Sequence, residues 1–364
     1  MRKLFRTAAV LAAGTLALTV AGPAQAAPDD TSARWLTRQL TDGLIHNDQF
    51  GGFDDYGLTA DTAFALKAIG GQRDDVRDIR RALARNVDSW TTGVDFGSSD
   101  IFAGSTAKAV VLAETTGADP RNFGGVNLVR RLNRLVSGDR PTVGRIQDQT
   151  AGDDFANVIG QAFAAQGLSV AKSGKADEAV RFLLRQQCAS GYFRLNFADK
   201  DAADQTCDGG DRRTTSVPDT DVTALAVLAL EAVPRQTRAV RAAVADGARW
   251  LVRRQKNNGS FGGGPATEAS NSNSTGLAGW ALGETGACRA AAKAARWVRG
   301  LQVSGDVSGT PLAGEKGAIA YDRSRFAAGR ADGIGSADRD QWRRATAQAA
   351  PSLSNLRVAT CRAR

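Results

Sequence analysis

Histidine is almost absent from this chain: His46 is the one histidine among 364 residues, and none of the four cysteines belongs to a CxxC pair. Structural and catalytic zinc sites are built from clustered cysteine and histidine ligands. The sequence therefore predicts no metal site, and nothing in it indicates another cofactor.

Long hydrophobic runs are lacking after the first 26 residues. Residues 1–26 start with three cations, continue through an apolar stretch at 8–20 and end in Ala24-Gln25-Ala26. The stretch is shorter than the roughly 20 residues that span a bilayer. This order is typical of a secretory signal peptide cleaved after Ala26. We expect a secreted protein without stable membrane insertion, and the many Ala, Arg, Asp and Gly with few Lys indicate a bacterial source.

Positive charge is present but dispersed. Without the three cations of residues 1–26, the 47 basic and 38 acidic residues leave a net charge of +6. Pairs such as Arg130-Arg131 and Arg253-Arg254 lie between acidic neighbours, and no basic stripe alternates with aromatic residues. Nucleic acid is therefore not an expected partner.

The four cysteines all lie after the predicted cleavage site. An even number of cysteines in an exported chain favours disulfides, although four cysteines allow three pairings. We favour Cys188 with Cys207, which closes a polar loop, and Cys288 with Cys361, which ties the C-terminal segment to the body.

A repeated pair of helices organises the rest of the chain. The first helix of a pair has apolar residues at i, i+3 and i+4 with arginines between them, as an amphipathic helix requires. The second is rich in small apolar residues and should be buried on most sides. First helices are predicted at 33–40, 179–186, 248–255 and 295–302, and second helices end near Gly70, Gly117, Gly167, Pro234 and Gly286.

Five such pairs and a degraded sixth, formed by residues 297–302 and 338–350, predict an all-α domain over residues 27–364. Six hairpins that close on themselves form an α/α toroid, which removes the exposed ends of an open repeat array. An open α-solenoid is the alternative architecture.

A short sequence motif, called the repeated phrase below, follows several first helices. Residues 187–193 and 255–261 both read QxxxGxF, and residues 47–53 repeat the phrase with Asn in place of Gln. Glycine allows the backbone to turn, the aromatic ring can pack under the hairpin, and the glutamine amide can satisfy backbone groups of the loop. This phrase resembles the QW-type repeat of the terpenoid cyclase and protein prenyltransferase superfamily. The resemblance implies the toroid, whereas it implies less about function because this fold hosts several activities.

Class II cyclases of this superfamily carry a DxDD motif whose acid protonates the substrate. Asp219-Thr220-Asp221-Val222 is similar to that motif except for its last position. The resemblance implies that Asp221 donates the proton and that Asp219 raises its pKa. The alternative is that one of residues 219–221 only caps a helix beginning near Val222. Prenyl transfer is not expected, because the family performs it with a zinc ion held by Asp, Cys and His.

A second group of polar residues precedes other inner helices. His46 lies near Asp54 and Asp55, and a further acidic pair is formed by Asp153 and Asp154. We predict that these five residues contribute to ligand binding. Paired carboxylates are also the groups that glycoside hydrolysis needs. Acidic residues near helix N-termini also interact favourably with the helix dipole, without any catalytic role.

Three functions remain open from the sequence. We favour a secreted protein that binds a small-molecule, lipid-like or cell-envelope ligand without catalysis, at a toroid mouth built from the loops before the inner helices. A cyclase-like enzyme that uses Asp221 is one alternative. A carbohydrate-active enzyme that uses the paired acids is the other.

Overall fold

The structure is a computed structural model, and it describes residues 27–356. These residues form fourteen α-helices, four short 3-10 helices and one two-stranded sheet. The α-helices are α1 (Pro28–Thr37), α2 (Tyr56–Ile69), α3 (Arg73–Arg85), α4 (Val87–Thr91), α5 (Ala103–Thr116), α6 (Leu128–Arg134), α7 (Val158–Val170), α8 (Ala176–Arg185), α9 (Thr220–Glu231), α10 (Arg238–Arg254), α11 (Ser272–Glu284), α12 (Cys288–Arg299), α13 (Arg323–Asp332) and α14 (Ser336–Ala349). Strands β1 (His46–Asn47) and β2 (Phe53–Asp54) pair antiparallel. The prediction of an all-α protein is confirmed.

Six inner helices form a closed ring. Helices α2, α5, α7, α9, α11 and α14 each pack against the next, and α14 packs back against α2. The outer helices α1, α3, α6, α8, α10 and α12 precede them along the chain. The α/α toroid is therefore confirmed, and the open solenoid is not observed. The sixth hairpin pairs α12 with α14, as predicted, but the connection between them contains an additional short helix, α13, which the sequence pattern did not indicate.

Small residues set the spacing between inner helices. A Cβ atom added at Gly276 of α11 would lie 2.3 Å from the Cα of Ala349 in α14. A Cβ at Gly160 of α7 would lie 3.0 Å from the Cα of Gly104 in α5. Backbones this close leave no room for larger side chains. The close approach of the inner helices in the ring therefore requires small residues at these positions.

The glutamine of the repeated phrase connects one outer helix to the next. Gln187 Nε2 donates to the carbonyls of Gly191 and Ala243, at 2.9 Å each, so it joins its own loop to α10. Gln255 Nε2 makes the equivalent bonds to Gly259 and Ala290, which joins its loop to α12.

Gln302 closes this series. Its Nε2 donates to the carbonyl of Pro28 and to Ser32 Oγ, at 2.7 Å each, and so joins the end of α12 to α1. The last outer helix is thereby tied to the first. The predicted role of the glutamine amide in satisfying backbone groups is confirmed for Gln187 and Gln255.

The register of the first copy of the phrase differs from our prediction. Phe53 is 42% exposed, so its ring does not pack under a hairpin. The structural equivalent is the segment from Gln39 to Ile45, in which Ile45 is fully buried and its N–H donates to Thr59 Oγ1 at 2.9 Å. Phe193 N–H and Phe261 N–H make the same bond to threonines of α9 and α11. The prediction of residues 47–53 was wrong because it required an aromatic residue at a position where the fold requires only a buried apolar residue.

One predicted disulfide is confirmed. Cys188 and Cys207 are bonded, with a Cα–Cα distance of 4.8 Å. Cys361 lies outside the described residues, as does the predicted signal peptide, so the Cys288–Cys361 pair and the cleavage after Ala26 stay predictions. Among residues 27–356, no helix has the length and apolarity needed to cross a membrane.

Candidate functional site

The inner helices surround a central cavity of about 380 Å³. All six contribute to its lining, which is predominantly apolar and includes Leu225, Leu228 and Leu277. Two aromatic rings, Phe64 and Phe163, stack with their centroids 6.0 Å apart, and Trp280 adds a third. These three aromatic residues belong to three different inner helices, and the ring brings them to one cavity.

The cavity lies towards the carboxyl ends of the inner helices. The lining residues come mostly from the second half of each helix, and they include Glu231 and Glu284 in the last turns of α9 and α11. Helix carboxyl ends carry partial negative charge. This location differs from our expectation of a binding mouth built from the loops that precede the inner helices.

Asp219 is the residue that caps α9. Its Oδ1 accepts hydrogen bonds from the N–H groups of Asp221 at 2.9 Å and Val222 at 3.1 Å. Helix α9 begins at Thr220, two residues earlier than the sequence indicated. Burial raises the pKa of Asp219, and the two backbone hydrogen bonds partly oppose that rise. The capping alternative thus describes Asp219.

Asp221 is in a different position. Its Oδ1 is shielded from solvent and has no hydrogen-bond partner within residues 27–356. Burial raises its pKa to about 7, while the Ser274 hydroxyl opposes the rise and the Asp219 carboxylate adds to it. Asp221 precedes the cavity-lining residues Leu225 and Leu228 by four and seven positions, so the three share one face of α9. The acid therefore lies one helical turn before the cavity and can carry a proton near neutral pH.

A glycine-rich loop closes over this acid. A Cβ added at Gly263 would lie 2.9 Å from Asp221 Oδ2 and 3.0 Å from Ser274 Oγ. The hydroxyl of Thr220 is also buried, without a hydrogen-bond partner among the described residues. Only glycine lets the loop backbone approach the carboxyl group this closely, and the result is the desolvation that raises the pKa of Asp221.

The loop that leads into Asp219 is anchored by a buried arginine. Arg194 is fully buried, and its guanidinium donates to Gln186 Oε1 at 2.7 and 3.0 Å and to the carbonyl of Gln205 at 3.0 Å. Tyr192 OH donates to the carbonyl of Ser216 at 2.6 Å. Together with the disulfide, these contacts hold the irregular segment that ends at α9. Nothing in the sequence marks Arg194 as buried, since a buried arginine and a surface arginine look alike in a single sequence.

The first acidic pair is engaged in local contacts. His46 Nδ1 lies 3.1 Å from Asp54 Oδ1, and both side chains are partly exposed. Asp55 caps α2 by accepting from Leu58 N–H at 2.8 Å, and its other oxygen pairs with Arg344 of α14. This region joins the first inner helix to the last, so Asp55 has a clear role in ring closure.

The second acidic pair is divided between surface and core. Asp153 is exposed, whereas Asp154 pairs with Lys200 at 2.9 Å and with Arg145 at 3.5 Å. Burial by itself would raise the pKa of Asp154, but hydrogen bonds from Asp148 N–H and Lys200 outweigh burial and lower it. Asp154 is therefore ionised and held by two cations. Within the described part of the chain, no group of three or more His, Cys, Asp or Glu residues is arranged to hold a metal ion.

Comparisons with known proteins agree with this architecture. No family model and no curated sequence matches the chain. Among solved structures, a variant of the type II terpene cyclase MstE from Scytonema, in complex with merosterolic acid A, is similar with a TM-score of 0.61 and 16% identity, covering 90% of this chain and 95% of the other. A protein from Actinoplanes has a TM-score of 0.57 and 19% identity, covering 90% and 98%. The unsaturated glucuronyl hydrolase from Bacillus sp. GL1 has a TM-score of 0.54 and 11% identity, covering 89% and 95%.

These similarities establish the fold. The chain has an α/α toroid that is similar to the structures of a type II terpene cyclase and of an unsaturated glucuronyl hydrolase, and the toroid implied by the repeated phrase is confirmed.

Proposed function

We propose that this protein is a secreted binding protein that takes an apolar or amphipathic small molecule into its central cavity, without catalysis. The observation that carries the proposal is the cavity itself: about 380 Å³, mainly apolar, with three aromatic rings in its lining. Its volume lies within the range of about 300–1,000 Å³ that is usual for small-molecule sites. Leucine and aromatic surfaces favour a ligand body of hydrocarbon over a sugar.

Three of the carboxylates that the sequence singled out are engaged in structural contacts, and this supports binding over hydrolysis by them. Asp55 and Asp154 are held by arginine or lysine, and Asp219 caps a helix. A pair of glycosidase carboxyl groups needs one proton donor and one carboxylate that is available to the sugar or to water. The geometry therefore favours the carbohydrate-active alternative least.

Filling the cavity should weaken ligand binding. Leu225→Trp places an indole in the apolar lining, so binding of geranylgeraniol, a neutral isoprenoid probe, should weaken by at least about tenfold. The measurement is quenching of intrinsic tryptophan fluorescence or isothermal titration calorimetry. Val252→Trp is the matched control, because it adds the same ring on the exposed face of α10, where Val252 is 45% exposed. Equal affinity of the two variants would place the probe outside the cavity.

A second function is favoured by one specific observation, the protonatable Asp221. A carboxylic acid with a pKa of about 7 still carries its proton near neutral pH, and a class II cyclisation begins when such an acid donates its proton to an alkene. The three aromatic faces could then stabilise the resulting carbocation. The protein would be a cyclase, and the central cavity would hold a polyene.

Turnover decides between the two functions. Under the cyclase hypothesis, wild-type protein converts an isoprenoid such as geranylgeranyl dihydroxybenzoate to a cyclic product detected by mass spectrometry. Asp221→Asn, which keeps shape but removes the proton, should lower the rate by at least about a hundredfold while probe binding is unchanged. The wild-type rate should fall as pH rises above about 7, because the acid loses its proton. Probe binding without wild-type turnover of that substrate supports the binding protein and contradicts the cyclase hypothesis.

A further inference from the structure

A larger cavity, of about 890 Å³, lies outside the ring of inner helices. It is bordered by α1, by the end of α12 and the loop that follows, and by the final 3-10 helix (Ala350–Leu356). We call it the α1 groove. It shares no lining residue with the central cavity, so it is a separate site.

The lining of the α1 groove is predominantly positive. Four cations line it, namely Arg34, Arg38, Arg299 and Lys316, and Asp29 is the one acidic residue in its described lining. None of the four cations lies within 4.0 Å of a carboxylate oxygen in residues 27–356, whereas other arginines of this protein form many ion pairs. An excess of cations over nearby acids creates a positive potential that attracts anions.

Two of these arginines are held in place by the contacts that close the ring. Arg299 Nη1 donates to Gln302 Oε1 at 2.9 Å, and Gln302 is itself buried against α1. Arg38 Nη2 donates to the carbonyl of Gly314 at 3.1 Å. Arg34 is four residues before Arg38, so both guanidinium groups lie on the same face of α1. The cations therefore border one site and are not scattered over the surface.

The sequence that follows the last residue of the groove is also basic. Residues 357–364, which continue from the last residue of the groove, contain three arginines and no acid. Charge complementarity therefore argues against this segment as the occupant. Cleavage after Ala26, where it occurs as predicted, also places a new α-ammonium group at Ala27, which lines the groove.

We propose that the α1 groove binds an anionic glycan. The cations would pair with carboxylate or sulfate groups along the glycan. Hydroxyl groups of Thr31, Ser304 and Ser354 are suited to sugar hydroxyls, and Pro28 and Leu353 offer apolar surface for the faces of sugar rings. A polyphosphate would pair with the cations, but it would leave the hydroxyl groups and the apolar surface of the groove without a partner.

Charge reversal tests the groove in the mature chain. Arg34→Glu with Lys316→Glu should weaken binding to dextran sulfate by about tenfold at moderate salt. These two residues are suitable because their side chains make no hydrogen bond or ion pair within the described residues. The matched control is Arg238→Glu with Arg254→Glu, which changes the net charge equally on exposed positions of α10.

The outcomes separate the groove from general charge attraction. We expect the groove variant to lose affinity for dextran sulfate and the control variant to bind it within about twofold of wild type. We expect no binding to uncharged dextran. Equal losses in both variants would show that net charge, not the groove, binds the polymer. Polyphosphate binding more tightly than dextran sulfate, and lost in the same variant, would overturn the assignment to a glycan. A circular dichroism melt confirms that each variant is folded.

Discussion

Replacing Gly276 with alanine is expected to lower the free energy of unfolding by about 3 kcal/mol. A Cβ atom at this position of α11 would lie 2.3 Å from the Cα and 2.7 Å from the Cβ of Ala349, and 2.9 Å from the carbonyl oxygen of Gln348. Two of these three atoms belong to the α14 backbone, so α11 and α14 must move apart. The measurement is urea denaturation followed by circular dichroism.

Gly104→Ala is the matched control for this prediction. Gly104 lies in another inner helix, α5, but a Cβ there would meet a neighbouring backbone atom only at 3.9 Å, which is ordinary contact. Alanine should then stabilise the protein by roughly 0.5–1 kcal/mol, because it restricts the unfolded chain and favours helix. Stabilisation by both substitutions would contradict the close packing of α11 on α14.

Asp221→Asn should change how stability depends on pH. The pKa of Asp221 is raised to about 7 in the folded state, so the folded chain holds this proton more tightly than the unfolded chain. The stabilisation is present below the ordinary aspartate pKa of about 4 and is lost as pH rises through about 7. Between pH 4 and pH 8, wild-type protein should lose on the order of 3 kcal/mol relative to the asparagine variant.

Chemical denaturation at several pH values measures this difference directly. The neutral asparagine mimics the protonated acid and has no proton to lose in this range. Asp153→Asn is the control, because it removes a carboxylate from an exposed position of the same protein. A difference between wild type and Asp221→Asn that stays constant over this pH range would show that Asp221 is ionised at neutral pH, and it would remove the acid on which the cyclase hypothesis depends.

Local sequence signals predicted the repeat well, because they follow from chemistry within one hairpin. Apolar spacing indicated the outer helices, and small-residue runs indicated the inner ones. The glutamine and glycine of residues 187–193 were correctly placed, since a turn out of a helix needs these residue types whatever surrounds it. The pair Cys188–Cys207 was predictable because both cysteines belong to one loop.

The same signals failed where a residue's role depends on a distant partner. Residues 47–53 and residues 39–45 each match two of the three positions of the repeated phrase. Ile45 is buried in the hairpin core and Phe53 is not, because burial is decided by neighbouring helices and not by the phrase. The sequence could not show that Asp219 caps the helix whereas Asp221 is the acid with a buried carboxyl oxygen. That distinction depends on the loop around Gly263, which comes from the following hairpin.

The sequence by itself determined the number of hairpins, their inner and outer order and one disulfide, because helix periodicity, caps and loop cysteines are local properties. Only the tertiary structure decided that the ring closes through Gln302 and Arg344, that three distant aromatic rings share one cavity, and that four cations border one groove. Each of these features brings together side chains from separate hairpins. Their proximity is set by helix packing around the whole ring, which no single stretch of sequence encodes.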